Sequence, residues 1–529
     1  MTTPYSYDEV PYSSFPFPES HPARLATIAR LFALNPPDPR TARILELGCS
    51  SGGNILPMAE LYPDGQIVGI DLSERQIALG QKALATLGFT NIELKQASIM
   101  DVDASWGAFD YVICHGVYSW VPEPVQNKIL SICKANLTPN GLAYISYNTL
   151  PGWHMRGMIR DMMRYHAARF ADPQQRITQA RALLDFLLQA VGDVPANPYS
   201  TLLKMETDIL KQSEDWYLYH EHLEENNSPI YFHQFVERAQ AHGLKFLGES
   251  IVRQMVPGNY PPEVEQVLQR LSNDIVHMEQ YMDFLRNRMF RQSILCHPEQ
   301  QPDYGMNPQR LLGLHVGTML RPENPNPDLV TTANEKFVLP NNAGSVQVTD
   351  PLAKNALVLL AEAWPGSRLF DDLVREARTR LSPLLTGDGP TFDRDVTVLG
   401  RMCLQFQMSV VDKLIELRPH GLPVVKVAGD KPQAMAVARY QATLGKAVAN
   451  LKHETGNLGE FERNLLLRLD GTRTCAELTE VMFSLLQQGL LHLTVEGQVV
   501  TDPVQIRAML EPALLDAVNK FAQFGYLVA

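Results

Sequence analysis

The sequence predicts an α/β protein: a doubly wound, largely parallel sheet with helical insertions, followed by α-rich, winged-helix-like C-terminal domains. Three observations predict it. Short apolar runs alternate with amphipathic helical patterns five times over about 110 residues, the order of a parallel sheet with crossover helices. The first run breaks into a turn of small residues, Gly48-Cys49-Ser50-Ser51-Gly52-Gly53. The second, Val68-Gly69-Ile70-Asp71, ends in one carboxylate. At 529 residues the chain exceeds a single core, so about two to four domains are expected.

Composition narrows the class. Hydrophobic residues make up 45% of the chain, as in a globular protein. No apolar run approaches the ~20 residues of a membrane helix, and residues 1–20 lack Lys, Arg and an apolar h-region, so neither membrane insertion nor a signal peptide is expected. Six scattered cysteines without a C-x-x-C pair fit free thiols in a reducing cytoplasm. The net charge of −12 argues against a broad electrostatic grip on nucleic acid.

The elements follow in order. Residues 1–20 carry Tyr5, Tyr7, Tyr12, Phe15 and Phe17 among Pro and Ser. Disordered tails are poor in aromatics, so this segment is expected to pack as a lid (residues 1–22). A helix follows, with Leu25, Ile28, Leu31 and Phe32 on one stripe, and Pro36-Pro37 end it. Ile44-Leu45-Glu46-Leu47 reads as a buried strand end, and the small-residue turn after it, running to Asn54, aims free N–H groups and a helix start at a ligand. The turn is not G-x-G-x-x-G, so a dinucleotide fingerprint fits poorly. Asp71 at the end of the second strand suits two ribose hydroxyls. Ser73 opens a helix over 73–87 as its N-cap. Residues 92–95 form the third strand, and the loop Gln96-Ala97-Ser98-Ile99-Met100-Asp101 follows. Residues 109–114 are the fourth strand, running into His115-Gly116-Val117-Tyr118-Ser119-Trp120-Val121-Pro122. Tyr118 and Trp120 offer an aromatic wall, and a cation beside such faces gains ~0.5–2 kcal/mol; packing of the loop onto the sheet is the competing reading. A helix to residue 137 and a fifth strand over 142–147 complete the series.

Residues 157–190 read as one unbroken helical stretch, part of a helical cap insertion over about 151–230 at the strand C-ends. Residues 244–251 and 291–296 are the candidate last strands. His220-Glu221-His222 has H-x-H spacing, but on a helix the two imidazoles diverge and no further His/Cys cluster backs them, so pocket wall or structural hydrogen bonding is expected rather than a metal site. Residues 301–333, rich in Pro and Asn, read as a linker or extended arm. A hairpin around Asn341-Asn342-Ala343-Gly344 and two helices suggest a winged-helix-like module over 334–420. A second lies in 421–529, with Gly366-Ser367-Arg368 and Gly471-Thr472-Arg473 marking an imperfect internal duplication. The second helix of each is acidic, so protein contact fits better than DNA.

The spacing Glu46-x-Gly48-x-x-x-Gly52, followed by a strand ending in Asp71, resembles motif I and the acidic loop of class I S-adenosylmethionine-dependent methyltransferases. Tyr7-Asp8-Glu9-Val10-Pro11-Tyr12, Phe15-Pro16-Phe17, His21-Pro22, the His115–Pro122 loop, Pro151-Gly152-Trp153-His154 and residues 220–228 resemble, within that class, the bacterial group with a methyltransferase regulatory domain, which includes rickettsial protein lysine methyltransferases. The likeness implies a Rossmann-like sheet of seven strands in a domain spanning residues 1–300. It implies S-adenosylmethionine as methyl donor. Glu46, Gly48, Cys49, Gly52 and Asn54 would hold its amino-acid end, Asp71 and Leu72 the ribose, and Ser98 and Ile99 the adenine. His115 would meet the methionine end, and Tyr12 would join from the lid. Ser98 stands where many members carry Asp, which leaves the adenine amino contact to Asp101 or a backbone carbonyl. Tyr118, His115 and Trp120 are the expected catalytic residues, with Tyr118 or His115 taking the proton from an acceptor amine. The acceptor is expected to be a protein lysine. A small-molecule methyltransferase and a cofactor-binding regulator are the competing readings, and a homodimer is left open.

Overall fold

The computed structural model describes residues 10, 14–192, 194, 197–381, 392–492, 494–495, 498–500 and 502–528. Seven strands share one sheet: β1 (Arg43–Leu47), β2 (Gln66–Asp71), β3 (Ile92–Gln96), β4 (Phe109–Cys114), β5 (Leu137–Asn148), β6 (Lys245–Glu249) and β7 (Phe290–Cys296). Their spatial order is β3-β2-β1-β4-β5-β7-β6. The pairings from β3 through to β5 are parallel, and β7 runs antiparallel to both its neighbours. The winding reverses between β1 and β4, and a doubly wound sheet opens its crevice there, beyond the strand C-ends. Helices cover both faces, which is why Ile44, Leu45, Leu47, Val112, Ile113, Ala143 and Ile145 are all buried and the strands read as continuous apolar runs.

On the sheet pack α1 (Pro22–Leu31), α2 (Leu56–Leu61), α3 (Glu74–Leu87) and α4 (Glu123–Asn136). Ser73 caps α3, its Oγ accepting from the Gln76 N–H at 3.1 Å, and Gly88 closes the helix in the left-handed region.

The cap insertion comprises α5 (Trp153–Ala167), α6 (Pro173–Val191) and α7 (Pro198–Gln212), then a short helix, Asp215–Leu218, continued by a π-helical turn, Tyr219–Leu223. The stretch expected to be one helix over 157–190 is therefore two. Asp172 accepts from the Gln175 N–H at 2.8 Å and Pro173 takes the first helical position, a start signal that the apolar periodicity masks. Ile159, Met163, Ile177, Leu184, Leu203 and Leu218 give the insertion its own small core.

Between β6 and β7 lie helices Pro262–Leu271 and Ile275–Arg286. A buried ion cluster binds the second to the sheet: Arg291 on β7 reaches Glu249 on β6 (2.9 Å), Asp283 (2.8 Å) and Glu279 (3.0 Å).

Residues 301–333 do not behave as a linker. Leu311, Leu314, Val316 and Leu320 are buried in one core with Phe337, Leu357 and Leu399, and strand His315–Gly317 pairs with both Arg368–Leu369 and Glu416–Arg418. The Pro and Asn residues hide these apolar anchors. The module continues with hairpin Glu335–Val338/Ser345–Val348 and helices Pro351–Ala363, Phe370–Leu381 and Phe392–Gln407. The C-terminal module carries helices Ala436–Leu444, Glu460–Leu466, Cys475–Gln487 and Pro503–Gln523. It docks on the sheet domain through Glu60, whose carboxylate accepts from the Ala436 and Val437 N–H groups at 2.6 and 2.8 Å. Among the described residues no helix is long and apolar enough to cross a membrane.

Candidate active site

The turn after β1 is shaped by contacts that exclude side chains. Gly48 has φ +79°, and a Cβ there would sit 2.4 Å from Val117 Cγ2. Its N–H and that of Cys49 both donate to the Ile70 carbonyl, at 2.8 and 2.9 Å, so the end of β1 is stitched to the end of β2. Asp71 is fixed there by N–H donors from Ser50 (2.8 Å) and Ser73 (2.9 Å). These bonds hold the carboxylate at the C-terminal end of β2, where it lines the cavity.

Glu46 is buried at the base of this crevice. Its Oε1 accepts from Asn54 Nδ2 at 2.6 Å, while Oε2 is buried without a hydrogen-bond partner. Burial pushes its carboxyl up to about 8; the Asn54 hydrogen bond offsets this in part and the Asp71 charge adds to it. A buried oxygen without a donor is costly to leave bare. The ammonium of an amino-acid moiety would supply the missing donor and charge, so these residues fit the methionine end of S-adenosylmethionine.

A cavity of about 960 Å³ runs from this cradle, at the upper end of the range for small-molecule sites. Glu46, Gly48, Cys49, Asn54, Asp71, Leu72, Ser98, Ile99, His115 and Trp120 all line it, and Gly52 does not. Gly52 instead lets the turn approach Leu94, which a Cβ would meet at 3.3 Å. Ser98 caps its own short helical turn, and Asp101 accepts from the Ser98 N–H at 3.3 Å. Asp101 is thus spent on capping and is not among the lining residues.

Tyr118 is the main correction. It is fully buried, but away from the cavity, packed edge-on against Tyr147 and Phe235 with ring centroids 6.1 and 5.4 Å away. Burial raises its hydroxyl's pKa, and the nearby cation is Arg238. The loop forms a 3-10 turn, Tyr118–Trp120, in which residues two apart face different ways. Trp120 accordingly turns to the cavity and meets Trp153 edge-on at 6.1 Å.

His115 is stacked on Phe17 at 3.8 Å and shares a 2.8 Å hydrogen bond between its Nδ1 and the Tyr144 hydroxyl. Burial lowers its pKa to about 3. It stays neutral and is a poor proton acceptor, so its place is beside the donor rather than as a base.

Tyr12 lies outside the described residues. The lid contributes Ser14 and Phe17 to the cavity wall. The Gly53 N–H donates to Ser14 Oγ at 2.7 Å, and the Phe17 N–H to Asn54 Oδ1 at 2.9 Å. A Cβ on Gly53 would lie 2.3 Å from the Ser14 carbonyl oxygen.

Facing the cradle is the π-helical turn. Arg160 donates to the Glu224 carbonyl, and Arg176 to the Leu223 carbonyl and the Tyr219 hydroxyl, each at 3.3 Å. His220 Nε2 contacts the Val10 carbonyl at 2.7 Å, so its ring ties the lid to the cap. Between the two histidines, Glu221 lines the cavity, its carboxyl raised to about 7 by burial and held back by Arg156. Irregular turns of this kind often sit at functional sites. Of the H-E-H triplet, His220 and Glu221 line the cavity and His222 does not.

Three family models match the chain: "Methyltransferase domain" over residues 44–141, "Predicted methyltransferase regulatory domain" over 214–297 and "PKMT, C-terminal winged helix domain" over 430–526. A Rickettsia prowazekii protein is 38% identical over 99% of this chain and 93% of its own length. The structure of PKMT2 from Rickettsia typhi is 33% identical, covers 98% of this chain and 100% of that one, and superposes with a TM-score of 0.86. Its complex with AdoHcy gives 34% and 0.85. The chain belongs to this methyltransferase family. The methyltransferase uses S-adenosylmethionine, and the cradle from Glu46 to Asp71 lies at the sheet position where the fold binds it. Of the lining residues, the sequence places Phe17 only within the lid and Glu221 only within a triplet read as pocket wall or structural hydrogen bonding, and it does not single out Trp153 or Phe290; their meeting depends on packing between distant segments.

Proposed function

We propose that this methyltransferase transfers its methyl group to the side-chain amine of lysine in proteins, and that Glu221 receives the proton the amine must lose. One observation carries the reading. The wall of the cavity that holds His115 also carries Trp120, Trp153 and Phe290 together with Glu221 and Glu224. Aromatic walls suit the aliphatic stem of lysine and a cationic head, and a carboxyl near neutral pKa suits transfer of its proton.

When bound, S-adenosylmethionine supplies a methyl group activated on a sulfonium. The chain supplies position. Glu46 binds the amino-acid end, Asp71 the ribose, and Ile99 the base; the N–H groups of Gly48, Cys49, Ser50, Gly52 and Gly53 are spent on holding the turn in shape. Phe17 and His115 exclude water over the donor. Glu221 holds the acceptor ammonium, accepts its proton and leaves a neutral nucleophile. Arg156, turned to Glu206 at 3.3 Å, keeps Glu221 from remaining protonated throughout. The likeness to PKMT2 supports a protein acceptor, and six cysteines outside any disulfide support a reducing compartment.

The test is methyl transfer from labelled S-adenosylmethionine to lysine-bearing polypeptides, followed by hydrolysis and amino-acid analysis. Methyl-lysine is expected. Label confined to small molecules, or none at all, overturns the reading.

A further inference from the structure

The cofactor cradle is not built by the sheet domain alone. Asn54 sits where three remote segments meet. Its Nδ2 donates to Glu46 Oε1 at 2.6 Å and to Ser20 Oγ at 3.0 Å. Its Oδ1 accepts from the Phe17 N–H of the lid at 2.9 Å and contacts Nε2 of His453, nearly 400 residues away in the C-terminal module, at 2.8 Å. Both acceptor and donor ends of one carboxamide are committed, so its orientation is over-determined: the oxygen must face the lid and His453, and the NH₂ must face Glu46.

His453 is presented by an unusual turn. It has φ +66°, a left-handed conformation that non-glycine residues adopt at a cost. The turn is pinned by Asn450, whose Oδ1 accepts from the N–H groups of Lys452 (3.0 Å) and Glu454 (2.8 Å). Although on a turn, His453 is buried, beside the His21 ring at 4.7 Å. Burial keeps it neutral down to about 3, so a neutral imidazole must carry its proton on Nε2 to donate to Asn54. The Tyr62 hydroxyl, beside the His21 ring, meets His420 Nε2 at 3.0 Å, so the preceding module is bonded to the sheet domain there as well.

We propose that His453 is a positioning residue for the cofactor: through Asn54 it sets the orientation of Glu46 and of the lid at Phe17, so the C-terminal module completes the cofactor cradle of the sheet domain. The proposal rests on Glu46 binding the amino-acid end of the cofactor. It assigns the distant module a part in loading the donor, beyond any contact with an acceptor.

The test uses the full-length chain and AdoHcy binding by isothermal titration calorimetry, with thermal unfolding alongside. Loss of one buried hydrogen bond that orients a ligand-binding carboxylate is expected to weaken binding about 10-fold in His453→Ala. His453→Met fills the same space without a donor and carries the same expectation should the alanine variant fail to fold. His453→Gln, whose amide reaches the Nε2 position, should restore affinity to within about 3-fold. Adding His453→Ala to Asn54→Ala should weaken binding no further than Asn54→Ala alone. Glu60→Gln, which loosens the same module away from Asn54, should lower the unfolding temperature and leave affinity within about 2-fold. Wild-type affinity in folded donorless variants overturns the proposal, as does a loss in Glu60→Gln equal to that in His453→Ala. Failure of the wild-type chain to bind AdoHcy would instead refute the underlying cofactor reading.

Discussion

Two buried carboxylates of one sheet, Glu249 on the edge strand β6 and Glu46 on the inner strand β1, have opposite fates. At the β6–β7 edge, burial pushes the Glu249 carboxyl upward, but Arg291 and Arg288, with hydrogen bonds from Ser293 and the Gln292 N–H, more than offset it, and the pKa ends below its usual value. At the end of β1, Glu46 has one amide donor and no cation, and ends at about 8. Glu279 lies between the two: Arg291 stands 3.0 Å away, but its Oε1 lacks a hydrogen-bond partner and burial still raises it to about 7. Where the protein supplies the countercharge, the carboxylate is structural; where it withholds it, a ligand is expected to bring it.

The comparison breaks most visibly at Arg291. Arg291→Met leaves Glu249, Glu279 and Asp283 without their shared guanidinium, and should cost about 3–5 kcal/mol of stability, measured by urea unfolding. Glu46→Gln should do the reverse. The folded apo-protein should be no less stable, because an unmatched buried acid is removed, while AdoHcy affinity falls about 100-fold by calorimetry. The pH dependence sharpens this. With a folded pKa of about 8 against an ordinary 4.5, the native state keeps a proton that the unfolded state releases between those values. Glu46 therefore adds nothing below pH 4.5, erodes apo stability as pH rises from 4.5 to 8, and is level above. Cofactor binding, which favours the carboxylate, should release a proton at pH 7 and tighten up to pH 8; both effects should vanish in Glu46→Gln, as read by calorimetry in buffers of different ionisation heat. Glu221→Gln should lower kcat about 10- to 100-fold, erase the limb of the pH profile near 7 and leave AdoHcy affinity unchanged. Smallest is Tyr118→Phe: with its hydroxyl outside the cavity, kcat should stay within about 3-fold in the same transfer assay.

These residues also show what a sequence can carry. The Glu46–Asn54 turn and Asp71 were legible because strand, turn and terminal acid lie within one βαβ unit, where period and residue type speak directly. Tyr118 and Trp120 were not separable, since a single 3-10 turn decides which one faces the cavity. Asp172-Pro173 was a readable start signal overridden by apolar periodicity, and Leu311 to Leu320 were apolar anchors overridden by neighbouring prolines. The His220-Glu221-His222 triplet was legible as pocket wall or structural hydrogen bonding, but nothing local separates the carboxylate from its neighbours. The contact between Asn54 and His453 has no local signature, because it joins segments that meet only after both domains have folded.

The lid crossing at Gly53 has a kinetic consequence. Ser14 and Phe17 lie over the turn so closely that even a methyl group on Gly53 would collide with the Ser14 carbonyl. Spent donor leaving past this segment must first break the Gly53–Ser14 and Phe17–Asn54 bonds, and a fresh one enters only while they are broken. Were the donor to exchange by this route, each transferred methyl would require one opening of the lid. With the proposed lysine acceptor, a side chain that outlasts several openings would be modified repeatedly by one molecule, and one that departs sooner would carry a single mark. The degree of methylation becomes a race between acceptor release and the strap of chain ahead of His21.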